Sequence, residues 1–185
     1  MSDPALSPAD RLRPLIRVRQ VRQFTAEPVS AADLDAIADV GRWSGSSRNS
    51  QPWRFIVIHQ ESTLRRIAEI GMPQTRSLQT AVAAVAITLP VEPGSTVSHA
   101  FDDGRAAERM LIAASLLGLG AGVAWIRSDV RDAVRDLLGL PTERTVRTII
   151  SLGHPTDAAR QPKSAPGQAR LPREQVVFEE RWPGS

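Results

Sequence analysis

Between Ala106 and Leu117 only Glu108, Arg109 and Ser115 are polar, so a helix through this stretch is apolar around most of its circumference. Such a helix needs cover on several sides. In a chain of 185 residues, which suits one domain or one domain plus an arm, a partner subunit is a natural source of that cover. Asp102 and Asp103 stand where the helix is expected to start, because carboxylates suit the positive end of the helix dipole. That reading also explains the pair better than paired catalytic carboxylates do. Gly118-Leu-Gly-Ala-Gly122 ends the element.

The remaining pattern mixes helices and short apolar strands. Ser30 is a predicted N-cap with Asp33 three residues on, and Val29 and Leu34 fit a hydrophobic staple; Leu34, Ile37 and Ala38 share one face. Ser62 to Ile70 reads as a short helix closed by Gly71, while Pro73 to Thr80 has no clear assignment. Phe55–Ile58, Val82–Leu89, Val123–Ile126 and Val146–Leu152 read as strands. A helix competes over 82–89, where alanine is common, but the β-branched residues favour a strand. Ser128 is expected to cap a short helix with Val130, Val134 and Leu137 inward, ended by Gly139 and Pro141. Residues 1–14 read as a flexible polar segment, 15–160 as the main domain and 161–185 as a C-terminal arm. Residues 156–170 are rich in Pro, Gly, Gln and charge, and strand character returns only at Val176–Phe178, which could cross to another subunit.

Composition excludes several chemistries. Without cysteine there is no disulfide, zinc–thiolate site, iron–sulfur cluster or cysteine nucleophile. His59, His99 and His154 are too far apart in sequence for metal-ligand spacing, and His99 reads as a surface-loop residue. Lys163 is the sole lysine among 23 basic residues, and acids are interleaved with the arginines, so no basic stripe points to nucleic acid. No apolar run reaches membrane-spanning length and no signal peptide is evident, which makes a cytoplasmic protein the expectation. Gly118-x-Gly120-x-Gly122 follows a helix and precedes a strand, the reverse of the dinucleotide-binding order.

The most informative segment is Gly45-Ser46-Ser47-Arg48-Asn49-Ser50-Gln51-Pro52-Trp53. It sets hydroxyls, amides and an arginine between Trp43 and Trp53, just before a buried strand. Amide side chains both donate and accept, which the edge of a flat heterocycle requires, although a capped turn with packed tryptophans would look alike. Trp43 and Trp125 read as core residues, with Trp125 also placed to border a substrate pocket.

The pattern Ser-Ser-x-Asn-x-Gln-Pro-Trp before an apolar strand resembles the signature of the nitroreductase family. Arg19-Gln-Val-Arg22-Gln-Phe24, Leu117-Gly-Leu-Gly120 with Trp125, Leu138-Gly-Leu-Pro141, Leu152-Gly-His-Pro155 and Arg170-Leu-Pro172 keep that family's order and spacing over residues 15–182. The resemblance implies an α+β fold, a central, mainly antiparallel sheet flanked by helices, with a C-terminal strand exchanged in a homodimer that holds two FMN molecules at its interface. It implies an FMN-dependent oxidoreductase that takes hydride from NAD(P)H and reduces a nitroaromatic or quinone-like acceptor. No side-chain acid or base is implied as catalytic. On this resemblance Arg19, Gln20 and Arg22 contact FMN, with Arg19 on the phosphate and Arg22 near the pyrimidine end. Ser46, Ser47, Asn49 and Gln51 match the flavin-contacting loop, Gly118, Leu119 and Gly120 the segment beside the ring, and Arg170 a late phosphate contact. The family also admits oxygen-dependent flavin breakdown, reductive dehalogenation and azoline dehydrogenation; a non-catalytic flavin-binding dimer or a deazaflavin stays open. Val18 and Gln20 stand where the family often has Arg and Ser, with Arg17 as a possible replacement for the first, and Gly45 stands where it usually has Pro. Gln74 and Arg76 are candidates for a further contact to the pyrimidine.

Overall fold

A computed structural model describes residues 6–161, 164, 168 and 170–183. Residues 1–5 of the expected N-terminal segment, and 162, 163, 165–167, 169, 184 and 185 of the expected arm, lie outside the described residues.

Four strands, β1 (Arg54–Ile58), β2 (Ala83–Pro90), β3 (Gly120–Trp125) and β4 (Arg144–Gly153), form one sheet in the order β1-β2-β4-β3, every neighbouring pair antiparallel. The two central strands are buried on both faces, which is why β2 reads as a near-continuous apolar run, broken only by Thr88, rather than an alternating one. On one face Val85, Ile87, Leu89, Ile150 and Leu152 meet Leu34 and Ile37 of α2 (Ala31–Arg42) and Met110 and Ala114 of α4 (Thr96–Leu116). On the other, Ala84, Ala86 and Ile149 meet Leu64 and Ile67 of α3 (Glu61–Gly71) and Val134 of α5 (Arg131–Leu137). The register slips between Ile87 and Thr88, whose partners are Thr148 and Val146, leaving Arg147 as the extra residue of a β-bulge. The bulge lets Val146 and Ile149 share a face despite their odd spacing.

The Ser30 N-cap is present: its hydroxyl accepts from the Asp33 amide at 3.0 Å. Ser30→Ala should therefore cost about 1 kcal/mol, read as a lower thermal midpoint by circular dichroism.

Five expectations are corrected. The long helix starts at Thr96, six residues before Asp102, after a turn opened by Pro93, so Asp102 and Asp103 are buried mid-helix rather than at its start. His99 lies on the same helix and is buried, with Glu92 3.9 Å away, not in a surface loop. Trp43 and Trp125 are 68% and 49% exposed rather than core, because one caps the end of α2 and the other ends an edge strand. Ser128 makes no side-chain cap, and Leu137 turns outward. Val176–Phe178 form no strand within the chain among the described residues, for they have no neighbouring strand to pair with; a short helical turn, Arg173–Gln175, precedes them. Two short helices also lie where no helix is expected: α1 (Pro8–Arg17), capped by Ser7, and α6 (Asp157–Arg160), capped by Thr156.

Candidate active site

The segment carrying Arg19, Gln20 and Arg22 lies along the free edge of β3. The Val21 amide donates to the Ala121 carbonyl at 2.7 Å, and the Gln20 Oε1 accepts from the Val123 amide at 3.3 Å. The chain approaches so closely that a Cβ on Gly122 would lie 2.2 Å from the Val21 carbonyl oxygen, and one on Gly120 2.9 Å from Val21 and Pro155 side-chain atoms. Glycine is required here by backbone proximity. Phe24 anchors the far end of the segment: it is buried, bridges to Pro155, and donates its amide to the Thr80 hydroxyl at 3.2 Å.

Gln20 has a second task. Its Oε1 also accepts from the Arg22 guanidinium at 2.9 Å, so one amide oxygen ties the arginine to the edge of the sheet. Gln20, Arg22, Gln74, Arg76 and Trp125 surround one recess, and Arg22 and Arg76 continue into a second beside Gln79 and Thr80. Arg19 reaches across to the Arg160 carbonyl. Among the described residues, no carboxylate forms an ion pair with Arg19, Arg22 or Arg76. This flank therefore carries three arginines free of acidic partners, the electrostatic setting for a bound anion.

The amide-rich loop is rigid for a different reason. Arg48, Asn49 and Gln51 all hold left-handed backbone, with φ of 51°, 54° and 48°. Non-glycine residues adopt that region at a cost, so surrounding contacts must hold them. The Ser46 hydroxyl accepts from the Gln51 amide at 2.9 Å, and the Asp102 carboxylate accepts from the Ser47 amide at 3.2 Å. Arg109 donates to the Trp43 carbonyl at 2.6 Å and Arg144 to the Pro52 carbonyl at 2.9 Å. Arg105 packs against Gly45, leaving no room for a Cβ unless its guanidinium moves. The side chains of Asn49 and Gln51 stay at the surface, their amides 3.3 Å apart.

Sequence reasoning missed these supports. Asp102, Arg105 and Arg109 have i, i+3, i+7 spacing and so fall on one helix face, a pattern that could have singled them out. Gly118, at φ +75°, turns the chain out of α4, Leu119 is buried, and Gly120 opens β3 against the N-terminal segment. Arg170 is exposed at a bend before Leu171 and Pro172.

Within one chain the structure brings Arg19, Gln20, Arg22, Gln74 and Arg76 to the Gly120 side of the sheet. The loop from Ser46 to Gln51 instead leads into β1, at the opposite edge. Three strand spacings, roughly 14 Å, separate those edges.

Comparison with known proteins agrees with this architecture. The model of the nitroreductase family matches residues 17–92. A protein of Archaeoglobus fulgidus provisionally named NADH dehydrogenase/NAD(P)H nitroreductase is 29% identical over 145 residues, covering 75% of this chain and 82% of its own. The FMN reductase [NAD(P)H] of Bacillus subtilis is 27% identical, over 89% of this chain and 71% of its own. A solved Parabacteroides distasonis structure, also provisionally named NADH dehydrogenase/NAD(P)H nitroreductase, superimposes with a TM-score of 0.78 at 25% identity, covering 92% of this chain and 98% of its own. With the signature loop, the glycine-backed edge strand and the four-stranded α+β scaffold all in place, the chain is similar to proteins of the nitroreductase family in both sequence and fold.

Proposed function

We propose that this protein is an FMN-dependent NAD(P)H oxidoreductase that works as a homodimer and reduces small electron-poor acceptors of the nitroaromatic or quinone type. The observation that carries the reading is the division of one site between opposite edges of the sheet. The arginines lie on one edge and the flavin-type loop on the other, so a second copy can bring the loop of one chain to the arginines of the next.

The residues present suit FMN. Arg19, Arg22 and Arg76 offer unpaired positive charge to a phosphate and to the electron-rich end of a reduced ring, and Gln20 aims Arg22. Gly118, where a Cβ would meet nothing within 4 Å, leaves the backbone bare for the approach of a planar ring, with the Leu119 and Gly120 segment following it into β3. Ser46, Ser47, Asn49 and Gln51 supply donors and acceptors on a loop already locked in its strained form. In this reading Arg170 serves as a further phosphate contact, carried by a C-terminal arm of residues 161–185 that would complete the domain of residues 15–160 across the dimer. When bound, FMN supplies the hydride acceptor and donor, so no side-chain acid or base is needed. The protein's part is to fix position, to stabilise negative charge with Arg22, and to offer Trp125 as a wall for a flat substrate.

The test is the visible spectrum of the purified protein before and after NADH or NADPH, followed by a quinone. The expected result is a flavin spectrum that bleaches with the nicotinamide and returns with the quinone. A colourless protein that takes up no FMN overturns the reading; bound FMN that resists both nicotinamides identifies a non-catalytic flavin dimer instead.

A further inference from the structure

A second cleft lies at the end of the sheet, bounded by the last residues of β2, the first turns of α4, α5 and the start of β4. It holds about 400 Å³ and shares no lining residue with the recesses around Arg22. Arg131 and Arg147 both line it. Arg147 is the extra residue of the β4 bulge, a device that re-aims one side chain out of the ladder.

The charges in this cleft do not balance. Glu92 lies against His99, and Asp132 is paired with Arg135 at 2.7 Å, an arginine that also holds Asp136. Arg144 is committed to the Thr88 and Pro52 carbonyls. Arg131 and Arg147 repel one another, and the carboxyl that faces both is the buried Asp103, whose burial pushes it up to about 6. Arg131 spends one donor on the Ile126 carbonyl at 3.2 Å. Among the described residues, Arg147 forms no ion pair shorter than 4 Å. Hydroxyls of Thr96, Ser128 and Thr145 also line the cleft, beside an apolar wall that includes Leu89 and Pro93.

We propose that this cleft is an anion site for a phosphate dianion, gripped by Arg131 and Arg147 and separate from the flavin recess. Two guanidinium forks and neighbouring hydroxyls suit a tetrahedral, many-oxygen anion better than a single carboxylate. The apolar wall leaves room for an organic substituent on the phosphate.

The test titrates inorganic phosphate, and separately phenyl phosphate, into the protein saturated with FMN, so that the flavin phosphate position is filled. Heat of binding is measured against sodium chloride of equal ionic strength. Saturable binding is expected, weakened at least about tenfold in Arg131→Gln and Arg147→Gln, because each loses a charge-assisted hydrogen bond. Asp103→Asn, which removes the opposing carboxyl, is expected to tighten binding at pH 8 and keeps the test decisive should the arginine variants not fold. Phenyl phosphate binding more tightly identifies a phosphomonoester as the ligand; the reverse identifies free phosphate. No saturable heat, equal heat with chloride, unaltered binding in the folded arginine variants, or unchanged or weaker binding in Asp103→Asn each overturns the proposal. The flavin spectrum is read in every sample, so failure to bind FMN is seen separately from failure to bind phosphate.

Discussion

Gly122→Ala is expected to lower stability by about 2–4 kcal/mol, the cost of overpacking a tight contact plus the loss of a backbone hydrogen bond. The added Cβ would meet the Val21 carbonyl oxygen at 2.2 Å, roughly 1 Å inside ordinary contact. Backbone cannot rotate away as a flexible side chain can, so the N-terminal segment must lift from β3. Lifting it strains the Val21–Ala121 hydrogen bond and the Gln20–Val123 bond together. For a domain of this size the thermal midpoint should fall by roughly 5–12 °C. The same displacement carries Gln20 and Arg22 away from the recess they share with Gln74 and Trp125, so FMN retention through gel filtration should fall alongside stability. Gly104→Ala is the control: a Cβ there meets nothing within 4 Å in the chain. Should Gly122→Ala unfold no earlier than wild type, the close approach of the two segments is wrong.

This contact also marks what the sequence could and could not disclose. The central strands were legible because a strand buried on both faces must be apolar along nearly its whole length, as in 83–87, whatever its neighbours. The α2 cap was legible because a hydroxyl bonding an amide three residues on is wholly local. The flavin-type loop was legible as chemistry but not as conformation. Nothing in Arg48, Asn49 or Gln51 alone requires left-handed backbone; Asp102, Arg109 and Arg144 impose it from elements far along the chain. The same distance effect hid the start of α4. An acidic pair reads as a helix beginning until Ser47 and Thr148 are known to approach from a loop and from β4. The α1 segment is polar and proline-containing and so reads as flexible, yet the Ser7 cap and Pro8 in the first turn start a helix there. Val176 and Val177 have the β-branched character of a strand, but strand character without a partner specifies nothing within one chain.

Asp103→Asn is expected to stabilise the protein by about 2 kcal/mol at pH 8, with the gain disappearing in acid. Asp103 is 6% exposed; its Oδ2 accepts from the Thr148 hydroxyl at 2.7 Å, while its Oδ1 has no hydrogen-bond partner. Burial raises its pKa from 3.8 to about 6, against the smaller opposing effects of the Thr148 hydrogen bond, Arg147 and Arg131. Because the folded chain binds this proton more tightly than the unfolded chain, the group favours folding below pH 4. That contribution is lost as pH rises towards and through 6, and at pH 8 the buried carboxylate carries the full penalty, at most about 3 kcal/mol. Asparagine keeps an oxygen for the Thr148 hydroxyl and removes the charge. Its amide nitrogen finds no acceptor where Oδ1 stood, which offsets about 1 kcal/mol of the gain. Urea unfolding of both proteins from pH 4 to 8 isolates the effect, since every other titrating group is common to the pair and cancels. The gap should open between pH 4 and 6 and level off above 7. A variant less stable than wild type at pH 8 would mean that attraction to Arg131 and Arg147, with the Thr148 hydrogen bond, outweighs the cost of burying the Asp103 carboxylate.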